Sequence, residues 1–383
     1  MRKVCVVIGN RANYSSIKSA LFEIKKHPYL KLQIVTFASA LLKKYGLIHD
    51  TIKSDGFKID GSIFNLVEGE NPITMAKTTG LGLIELPTMF EKLKPDIVFT
   101  IGDRFETMAT AVAAAYMNIP LAHSMGGEVT GTIDESIRHA ITKLAHIHFP
   151  ASRDAYNRII KLGEHKKNVF LVGCPRIDLV SQILNKTDKF KSKDILMEGV
   201  GAKINLNDKF ILVSQHPVTT EYGMGEIQIN ETLKAIRKIN LPTLFLWPNP
   251  DAGSEDISRG IRKWREKGKK DKIRFIKNLK IREYIYLMKK TSCLIGNSSS
   301  GIREGAFIGT PVVNIGSRQN NREKGKNVIN VNHKFENIFK AITKQIKFGH
   351  YKKEKIYGNG EAGKKIANIL SNCNLNVQKK ISF

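Results

Sequence analysis

The sequence predicts an α/β protein with two doubly wound sheets that face each other across a cleft. Apolar strands alternate with helical patterns through the first half, and the same alternation starts again in the second half. Between the halves lies a segment rich in Lys, Asn and Asp, Ser181–Asp208. Strands separated by helices indicate parallel β-α-β units. A chain of 383 residues is also long for one hydrophobic core, so two domains are expected.

Apolar runs and helical repeats define the elements of the predicted first domain, residues 1–173. The runs predict strands at Lys3–Ile8, Lys31–Thr36, Ile97–Ile101, Leu121–His123, Ile147–Ala151 and Val169–Val172. The repeats predict helices at Ser15–Lys26, Ile73–Lys94, Arg104–Met117 and Glu135–Leu144. We place the domain boundary near Gly173. Loops that follow the carboxyl ends of such strands are where ligands are expected.

The predicted second domain, residues 174–359, repeats this organisation. Its strands are expected at Phe210–Ser214, Thr243–Trp247, Ile273–Phe275, Cys293–Ile295 and Pro311–Ile315. A last helix, starting near Gly360 within residues 360–383, is expected to cross back onto the first domain.

Composition and charge restrict the possible partners. The formal net charge is +27, which raises nucleic-acid or membrane binding as possibilities. The lysines, however, are spread along the whole chain. The densest cluster, Arg262–Lys272, contains Glu266 and Asp271, and its one aromatic residue is Trp264. We therefore expect no nucleic-acid partner, although the positive field would attract anionic substrates.

The cysteines and the amino-terminal segment predict a cytoplasmic protein without a membrane partner. Cys5, Cys174, Cys293 and Cys373 lie far apart and form no zinc-type pair, so no metal site is expected. The first apolar run is interrupted too soon for a signal peptide or a membrane span.

Residues Gly296–Arg322 carry the clearest indication of a ligand. An apolar strand ends at Gly296, and Asn297 or Ser298 is placed to cap the helix that follows. The free backbone N–H groups and the positive end of such a helix suit a phosphate, which Ser298 and Ser299 are predicted to bind. The alternative is an ordinary strand, turn and helix with a capping serine.

Two further residues of this segment suit a nucleotide. Glu304, about two turns into the helix, could reach ribose hydroxyls. Arg318 follows the next strand at the same sheet edge, where its guanidinium could hold a phosphate through two hydrogen bonds.

Two strand ends of the first half also carry charged residues. Arg11 follows the first strand and could face an anion, while Ser15 could cap the next helix; both could equally be structural. Asp103 follows another strand and could act as base, acid or ribose acceptor, or merely cap a helix. Its neighbour Arg104 could bind phosphate or lower the pKa of Asp103.

The run from His123 to His139 contains the groups needed for proton transfer at a sugar carbon. Its glycines give a loop after a strand, and Asp134 leads a helix with Arg138 one turn later on the same face. Capping and salt bridges remain the alternative for each acid.

The second half contributes two more candidates. His216 precedes a proline and is held in extended backbone geometry at a strand end, although a lone histidine is often structural. Asn249 follows the next strand and could read a base or ribose.

Together these segments resemble the hydrolysing UDP-N-acetylglucosamine 2-epimerases, most closely the branch that feeds sialic-acid-type sugars. The similarity covers essentially the whole chain and is carried, in order, by NRANYS, GDRFE, GGEVTGTIDESIRHAITKLAH, GCPRID, QHPVTT, PNPDAGS, GNSSSGIREGAFIGTPVVNIGSRQ and KIYGNG. It implies two Rossmann-like domains of the glycosyltransferase-B type, a homodimer or homotetramer, a UDP-sugar substrate, and no metal or nicotinamide cofactor.

The resemblance also implies a reaction and a set of site residues. A proton leaves C2 of the sugar, UDP is eliminated in anti geometry, and the 2-acetamidoglucal intermediate is hydrated to N-acetylmannosamine. The catalytic positions are matched by Asp103, Asp134, Arg138 and His216. The substrate-binding positions are Arg11, Ser15, Arg104, His123, Asn249, Ser298, Ser299, Glu304 and Arg318.

Three positions depart from the family pattern. Met125 occupies the place of a catalytic glutamate, Asn13 that of an aspartate and Ser16 that of a lysine. A thioether cannot transfer a proton, and losing an acid–base group commonly costs about 10²–10⁴ in rate. We therefore expect UDP recognition to be kept and the chemistry near the sugar to be altered.

The sequence thus predicts a hydrolysing 2-epimerase that acts on a UDP-linked 2-acetamido sugar. That sugar is N-acetylglucosamine or a modified analogue. One alternative is a homologue that binds UDP-sugars without turnover. The other is a glycosyltransferase of the same architecture, for which no acceptor motif is visible.

Overall fold

A computed structural model describes residues 1–43, 47–69, 71–130, 133–185, 199–248, 253–267, 271–277 and 279–382. The chain divides into two compact units. The first unit comprises Met1–Glu128, Ile133–Ser181 and Tyr357–Phe383, and the second comprises Val129–Thr132 and Gln182–Ile356. The first unit therefore extends beyond the predicted boundary near Gly173.

The first unit is built on a six-stranded parallel sheet. Its strands are β1 (Arg2–Ile8), β2 (Leu30–Phe37), β3 (Gly61–Ile63), β4 (Ile97–Ile101), β5 (Leu121–Ser124) and β6 (Ile147–Phe149). They lie in the order β3-β2-β1-β4-β5-β6. The order reverses between β1 and β4, and loops at such a switch point commonly bind ligands.

Seven helices accompany this sheet among the described residues up to Asn185. They are α1 (Arg11–Lys26), α2 (Ile48–Ser54), α3 (Pro72–Leu93), α4 (Phe105–Tyr116), α5 (Asp134–Leu144), α6 (Arg153–Lys161) and α7 (Pro175–Asn185). The central strands β1 and β4 are largely apolar, notably at residues 4–8 and 97–99, as expected for a sheet covered on both faces. Phe99 of β4 and Phe149 of β6, both buried, pack edge to face in the core.

The second unit repeats the same strand order with one addition. Its strands are β7 (Val200–Gly201), β8 (Ile211–Ser214), β9 (Thr243–Leu246), β10 (Ile273–Ile276), β11 (Cys293–Gly296), β12 (Val312–Ile315) and β13 (Val328–Val331). The order is β13-β12-β11-β8-β9-β10-β7, with β7 antiparallel at the edge. The switch point of this sheet lies between β8 and β11.

Five described helices follow the strands of the second unit. They are α8 (Gly225–Ile239), α9 (Ser254–Glu266), α10 (Ile281–Lys290), α11 (Ser299–Ile308) and α12 (Phe335–Phe348). The helix α11 begins directly after β11, so its amino end lies at the switch point.

The last helix, α13 (Ala362–Asn372), returns to the first unit and packs against α1. The Asp178 carboxylate accepts hydrogen bonds from the backbone N–H groups of Ala362 and Gly363, at 2.9 and 2.7 Å, and so caps this helix. A Cβ atom at Gly363 would lie 2.8 Å from the backbone of Ser19 in α1. Only glycine therefore permits this close helix contact.

The segment after α13 holds the carboxyl end of α5. The ammonium of Lys379 donates hydrogen bonds to the backbone carbonyls of Lys143, at 2.6 Å, and Ala145. Its third partner is the carboxylate of Glu164, at 2.8 Å. A cation bound to the last carbonyls of a helix stabilises that helix end. The tail thus supports the helix that carries Asp134 and Arg138.

We expect Glu164 to make the stability of the first unit acid-sensitive. Burial alone would raise its pKa, but hydrogen bonds from His148, Lys143 and Lys379 outweigh this and lower the pKa from 4.5 to about 2. The resulting stability is complete above about pH 4.5 and is lost as the pH falls towards 2. In thermal unfolding, Glu164→Gln should therefore lower the melting temperature at pH 7 and have less effect at pH 3. Glu255→Gln, at an exposed position, should change it little at either pH.

The structure confirms the α/β class and the two doubly wound sheets. The strand predicted at Val169–Val172 is wrong, since a single bridge pairs Val169 with His148 before the chain turns at Gly173. The short strands β3, β7 and β13 were not predicted. No helix among the described residues is long and apolar enough to cross a membrane.

Candidate functional site

At the first switch point, Asp103 forms an ion pair with Arg138. Asp103 follows β4, and its Oδ2 contacts the Nη2 of Arg138 in α5. The Arg138 side chain is 1% exposed, and its Nη1 donates a 2.7 Å hydrogen bond to the backbone carbonyl of Glu128. The Asp103 side chain remains 25% exposed. A buried guanidinium favours the ionised carboxylate, which is the form required of a general base.

His123 of β5 is buried in the core and hydrogen-bonds Gly102, the residue before Asp103. Its ring is fully buried, with Nε2 2.8 Å from the backbone carbonyl of Gly102 and Nδ1 3.4 Å from the hydroxyl of Thr142. A carbonyl only accepts hydrogen bonds, so Nε2 carries the hydrogen. Burial lowers the pKa of His123 to about 4, which keeps the ring neutral. Any effect of His123 on a substrate would therefore pass through the Gly102–Asp103 loop.

The cap of α1 differs from the prediction. Asn10, not Ser15, is the N-cap, and its Oδ1 accepts a 2.9 Å hydrogen bond from the backbone N–H of Asn13. Ser15 lies inside α1, where its hydroxyl accepts a 3.0 Å hydrogen bond from Arg176. Asparagine is one of the preferred N-cap residues, because the oxygen of its short side chain can accept a hydrogen bond from a backbone N–H of the first turn.

Three arginines, Arg11, Arg104 and Arg176, lie near the carboxyl ends of β1 and β4. Desolvation and the neighbouring Arg176 both lower the pKa of Arg11, so two guanidinium groups lie close together there. Arg104 pairs with Glu106, whose Oε1 lies 3.2 Å from its Nε. Arg104 is therefore paired with Glu106, whereas Asp103 is paired with Arg138 of α5. This local concentration of positive charge suits an anionic ligand.

The three departures from the family pattern have distinct surroundings. Asn13 is buried, and its Nδ2 donates a 3.3 Å hydrogen bond to the backbone carbonyl of Ile101. An aspartate there would place a carboxylate oxygen against that carbonyl. Ser16 is also buried. Met125 is 6% exposed and adopts a left-handed backbone with φ of 64°.

The predicted site also includes Asp134 and Asn249. Asp134 is the first residue of α5 and lies one turn before Arg138, so helix entry rather than capping describes its position. Asn249 lies outside the described residues.

At the second switch point, the predicted helix cap is confirmed. Ser298 is the N-cap of α11 and accepts a hydrogen bond from the backbone N–H of Ser300. Ser299 begins the helix, and Glu304, 2% exposed, lies in its second turn. The hydroxyl of Ser300 lies 2.5 Å from that of Tyr284 in α10. This hydrogen bond holds the first turn of α11 against α10.

The loop after β12 lies beside this helix end. The Nη1 of Arg318 and the Nε2 of Gln319 both donate to the backbone carbonyl of Asn297, at 3.2 and 2.9 Å. The guanidinium of Arg318 is thereby held next to the amino end of α11. Both features would attract the oxygens of a phosphate.

His216 follows β8 at the same edge. Its Nε2 lies 3.3 Å from the hydroxyl of Ser214, and its side chain is largely buried. Sequence reasoning did not identify the neighbouring Asn297 or Gln319 as functional. Both lie in the motif that predicted the site. Their hydrogen bonds, however, connect segments that are far apart in the chain, so no local pattern indicates them.

The described residues contain no group of three or more His, Cys, Asp or Glu side chains suited to a metal ion. The two sites present carboxylates, imidazoles, guanidinium groups and a helix end.

Comparison with known proteins identifies relatives along nearly the whole chain. It is 34% identical over 378 residues to a UDP-N,N'-diacetylbacillosamine 2-epimerase (hydrolyzing) of Legionella pneumophila, covering 99% of this chain and 98% of the relative. It is also 34% identical to a GDP/UDP-N,N'-diacetylbacillosamine 2-epimerase (hydrolyzing) of Campylobacter jejuni, covering 86% and 84%.

Solved structures show the same fold. A UDP-GlcNAc 2-epimerase from Neisseria meningitidis bound to UDP-GlcNAc has a TM-score of 0.81 at 21% identity, covering 96% of this chain and 99% of that one. The enzyme from Methanocaldococcus jannaschii, in complex with UDP-GlcNAc and UDP, has a TM-score of 0.79 at 19% identity, with the same coverage. The expected glycosyltransferase-B type fold is thus confirmed. The family model for UDP-N-acetylglucosamine 2-epimerase matches residues 22–371, and with these relatives it shows that the chain belongs to the UDP-N-acetylglucosamine 2-epimerase family and is an enzyme of the hydrolysing type.

Proposed function

We propose that this enzyme hydrolyses a UDP-linked 2-acetamido sugar to UDP and the free 2-epimer, in a cytoplasmic route to sialic-acid-type sugars. The observation that carries the proposal is the placement of the predicted groups at the two switch points. Asp103 follows β4 at the first, and Ser298 and His216 follow β11 and β8 at the second. Cys5, Cys293 and Cys373 are free thiols, which supports a reducing compartment.

In this proposal Asp103 removes the proton from C2 of the sugar. The electrons of that C–H bond form a C1–C2 double bond, and the C1–O bond to UDP breaks. The departing diphosphate gains negative charge, which the amino end of α11 and the guanidinium of Arg318 would stabilise. Water then adds hydroxyl to C1 and a proton to C2 on the opposite face. Asp134 and His216 are the remaining predicted groups that could transfer protons in these steps.

We propose that the sugar carries a modification beyond N-acetylglucosamine. Two relatives act, by name, on N,N'-diacetylbacillosamine. In this chain Met125 presents an apolar side chain where the family pattern has an acid. Incubation with UDP-N-acetylglucosamine and with UDP-N,N'-diacetylbacillosamine tests the choice. Faster UDP release from the second supports the proposal, and a preference for the first would overturn it.

A catalytically impaired enzyme that keeps its UDP-sugar binding is the second candidate, favoured by the loss of the family glutamate and aspartate at Met125 and Asn13. The same incubation separates the two. Calorimetric binding of both UDP-sugars with only slow UDP release from either would support the impaired enzyme.

Replacing Arg318 by alanine should weaken UDP binding at least about tenfold, because a charge-assisted contact to phosphate is lost. Isothermal titration calorimetry with UDP measures the effect. Arg262→Ala is the matched control. It removes an exposed guanidinium from α9, and its net charge is the same as that of Arg318→Ala. Equal affinities in the two variants would place the diphosphate elsewhere.

We also propose that two copies pair through the outer face of α3. Ile73, Leu81 and Ile84 are 67%, 41% and 69% exposed along this helix. Apolar surface of this kind marks an interaction site. In an antiparallel pairing about a twofold axis at Leu81, Lys77 of each copy comes level with Glu85 of the other. That charge complementarity favours a second copy of the chain as the partner.

Ile84→Asp should therefore weaken dimerisation at least about 100-fold, because it places a charge in an apolar contact. Sedimentation velocity over a concentration series measures the change. Ile227→Asp on α8, also at an exposed isoleucine, should leave the association constant unchanged. A wild-type protein that is monomeric at all concentrations would contradict the proposal.

A further inference from the structure

One buried asparagine side chain satisfies both peptide groups of His216. Asn297 is 1% exposed and is the first residue after β11. Its Oδ1 accepts a 2.7 Å hydrogen bond from the backbone N–H of His216, and its Nδ2 donates a 2.8 Å bond to the backbone carbonyl of the same residue. These peptide groups lie beyond the end of β8. The amide of Asn297 hydrogen-bonds them in the way that a neighbouring strand would.

The backbone of Asn297 is bonded both to the end of β8 and to the loop after β12. Its N–H donates a 3.1 Å hydrogen bond to the carbonyl of Ser214. Its carbonyl accepts from Arg318 and Gln319 in the loop after β12. Asn297, which follows β11, therefore contacts the ends of the two neighbouring strands β8 and β12. It contacts His216 through its side chain and Arg318 through its main chain.

The close approach of β8 and β11 makes this arrangement possible. Gly296 has φ of 128°, and a Cβ atom there would lie 2.1 Å from the carbonyl oxygen of Ser214. A side chain at this position would push the strands apart. With glycine in place, the short amide of Asn297 spans the gap to His216.

We infer that Asn297 is a positioning residue, which fixes the imidazole of His216 relative to the phosphate-binding guanidinium of Arg318. The inference rests on the proposed function, since it assigns His216 to the reaction and Arg318 to the diphosphate. Removing the amide frees the His216 peptide while the carbonyl that holds Arg318 remains. The effect should therefore fall on turnover more than on UDP affinity.

A purely structural asparagine offers the comparison needed to test this. Asn65 of the first unit is 2% exposed. It likewise accepts from a backbone N–H, that of Ala38 at 2.9 Å, and donates to a backbone carbonyl, that of Thr78 at 3.0 Å. No residue of the predicted site takes part. Asn65→Ala thus reproduces the burial and the lost hydrogen bonds without disturbing His216.

The first measurement is steady-state UDP release combined with calorimetric UDP binding. Asn297→Ala should lower kcat about 100-fold, the cost of misplacing a reacting group by about 1 Å. The dissociation constant for UDP should rise much less than kcat falls. Asn297→Asp keeps the acceptor for the His216 N–H but loses the donor to the His216 carbonyl. Its kcat should therefore lie between those of the parent and Asn297→Ala. Asn65→Ala should retain kcat near that of the parent.

The second measurement does not depend on activity. In protein labelled with ¹³C at histidine Cε1, the His216 signal is assigned by its loss in His216→Gln. That signal should shift in Asn297→Ala and Asn297→Asp and stay in place in Asn65→Ala. If the parent releases no UDP from any UDP-sugar, the proposed function fails, and this signal still tests the inference. An unshifted His216 signal, or equal losses of kcat in Asn297→Ala and Asn65→Ala, would overturn it.

Discussion

Asp103→Asn should reduce kcat for UDP release by about 10²–10⁴, the usual contribution of a positioned acid–base group. The amide keeps the size of the side chain and can still contact Arg138, but it cannot accept a proton from C2. UDP affinity should be nearly unchanged, because the groups assigned to the diphosphate lie in the second unit. The measurement is initial-rate UDP release together with calorimetric UDP binding.

The opposite end of the same strand provides the control. Asp96 precedes β4, and its Oδ2 accepts a 2.8 Å hydrogen bond from the backbone N–H of Lys3. Asp96→Asn therefore changes one exposed carboxylate at the end of β4 where no ligand is expected. Parent-like turnover in folded Asp103→Asn would show that another group removes the proton.

Arg138→Met should both destabilise the protein and abolish most turnover. The guanidinium is buried, and its loss leaves Asp103 without its ion-pair partner and the carbonyl of Glu128 without its donor. Breaking a buried pair from one side typically costs about 3–5 kcal/mol. Thermal and urea unfolding measure the free energy of unfolding, and UDP release measures the catalytic effect.

A second arginine on a neighbouring helix gives the matched comparison. Arg158 of α6 also donates to a loop carbonyl, that of Gly127 at 2.6 Å, and pairs with Asp154. It is more exposed, so Arg158→Met should cost only about 1 kcal/mol. In the double variant with Asp103→Asn, part of the cost of Arg138→Met should be recovered because no unpaired carboxylate remains. Equal costs in the Arg138 and Arg158 variants would contradict the role assigned to the buried pair.

Local signals in the sequence were sufficient for the architecture. Long apolar runs such as Ile97–Ile101 and Cys293–Ile295 became central strands, and the Ser298 cap is present as predicted. Short edge strands gave no comparable signal. The strand β13, Val328–Val331, is four residues long and includes an asparagine, and β3 spans three residues. Sequence periodicity cannot distinguish such segments from loops.

The pairing of site residues was harder to predict than their positions. Asp103 and Arg138 were each identified, but the sequence suggested Arg104 and Asp134 as their nearest charged partners. Their actual contact depends on how β4 and β5 are ordered in the sheet. The sequence indicates only a helix cap for Asn297 or Ser298. Its hydrogen bonds to His216, 81 residues earlier in the chain, arise from the sheet order rather than from any local pattern.

The return of α13 to the first unit has a consequence for how the chain folds during synthesis. Apart from Val129–Thr132, the second unit is continuous in sequence and can fold once Ile356 has left the ribosome. The first unit is made earlier but stays unfinished, with the face of α1 that contacts α13 uncovered and the carboxylate of Asp178 without the N–H groups of Ala362 and Gly363. Domains generally mature in the order in which they are synthesised. Here that order should be reversed, and the amino-terminal half should need protection by a chaperone until residue 372 has emerged.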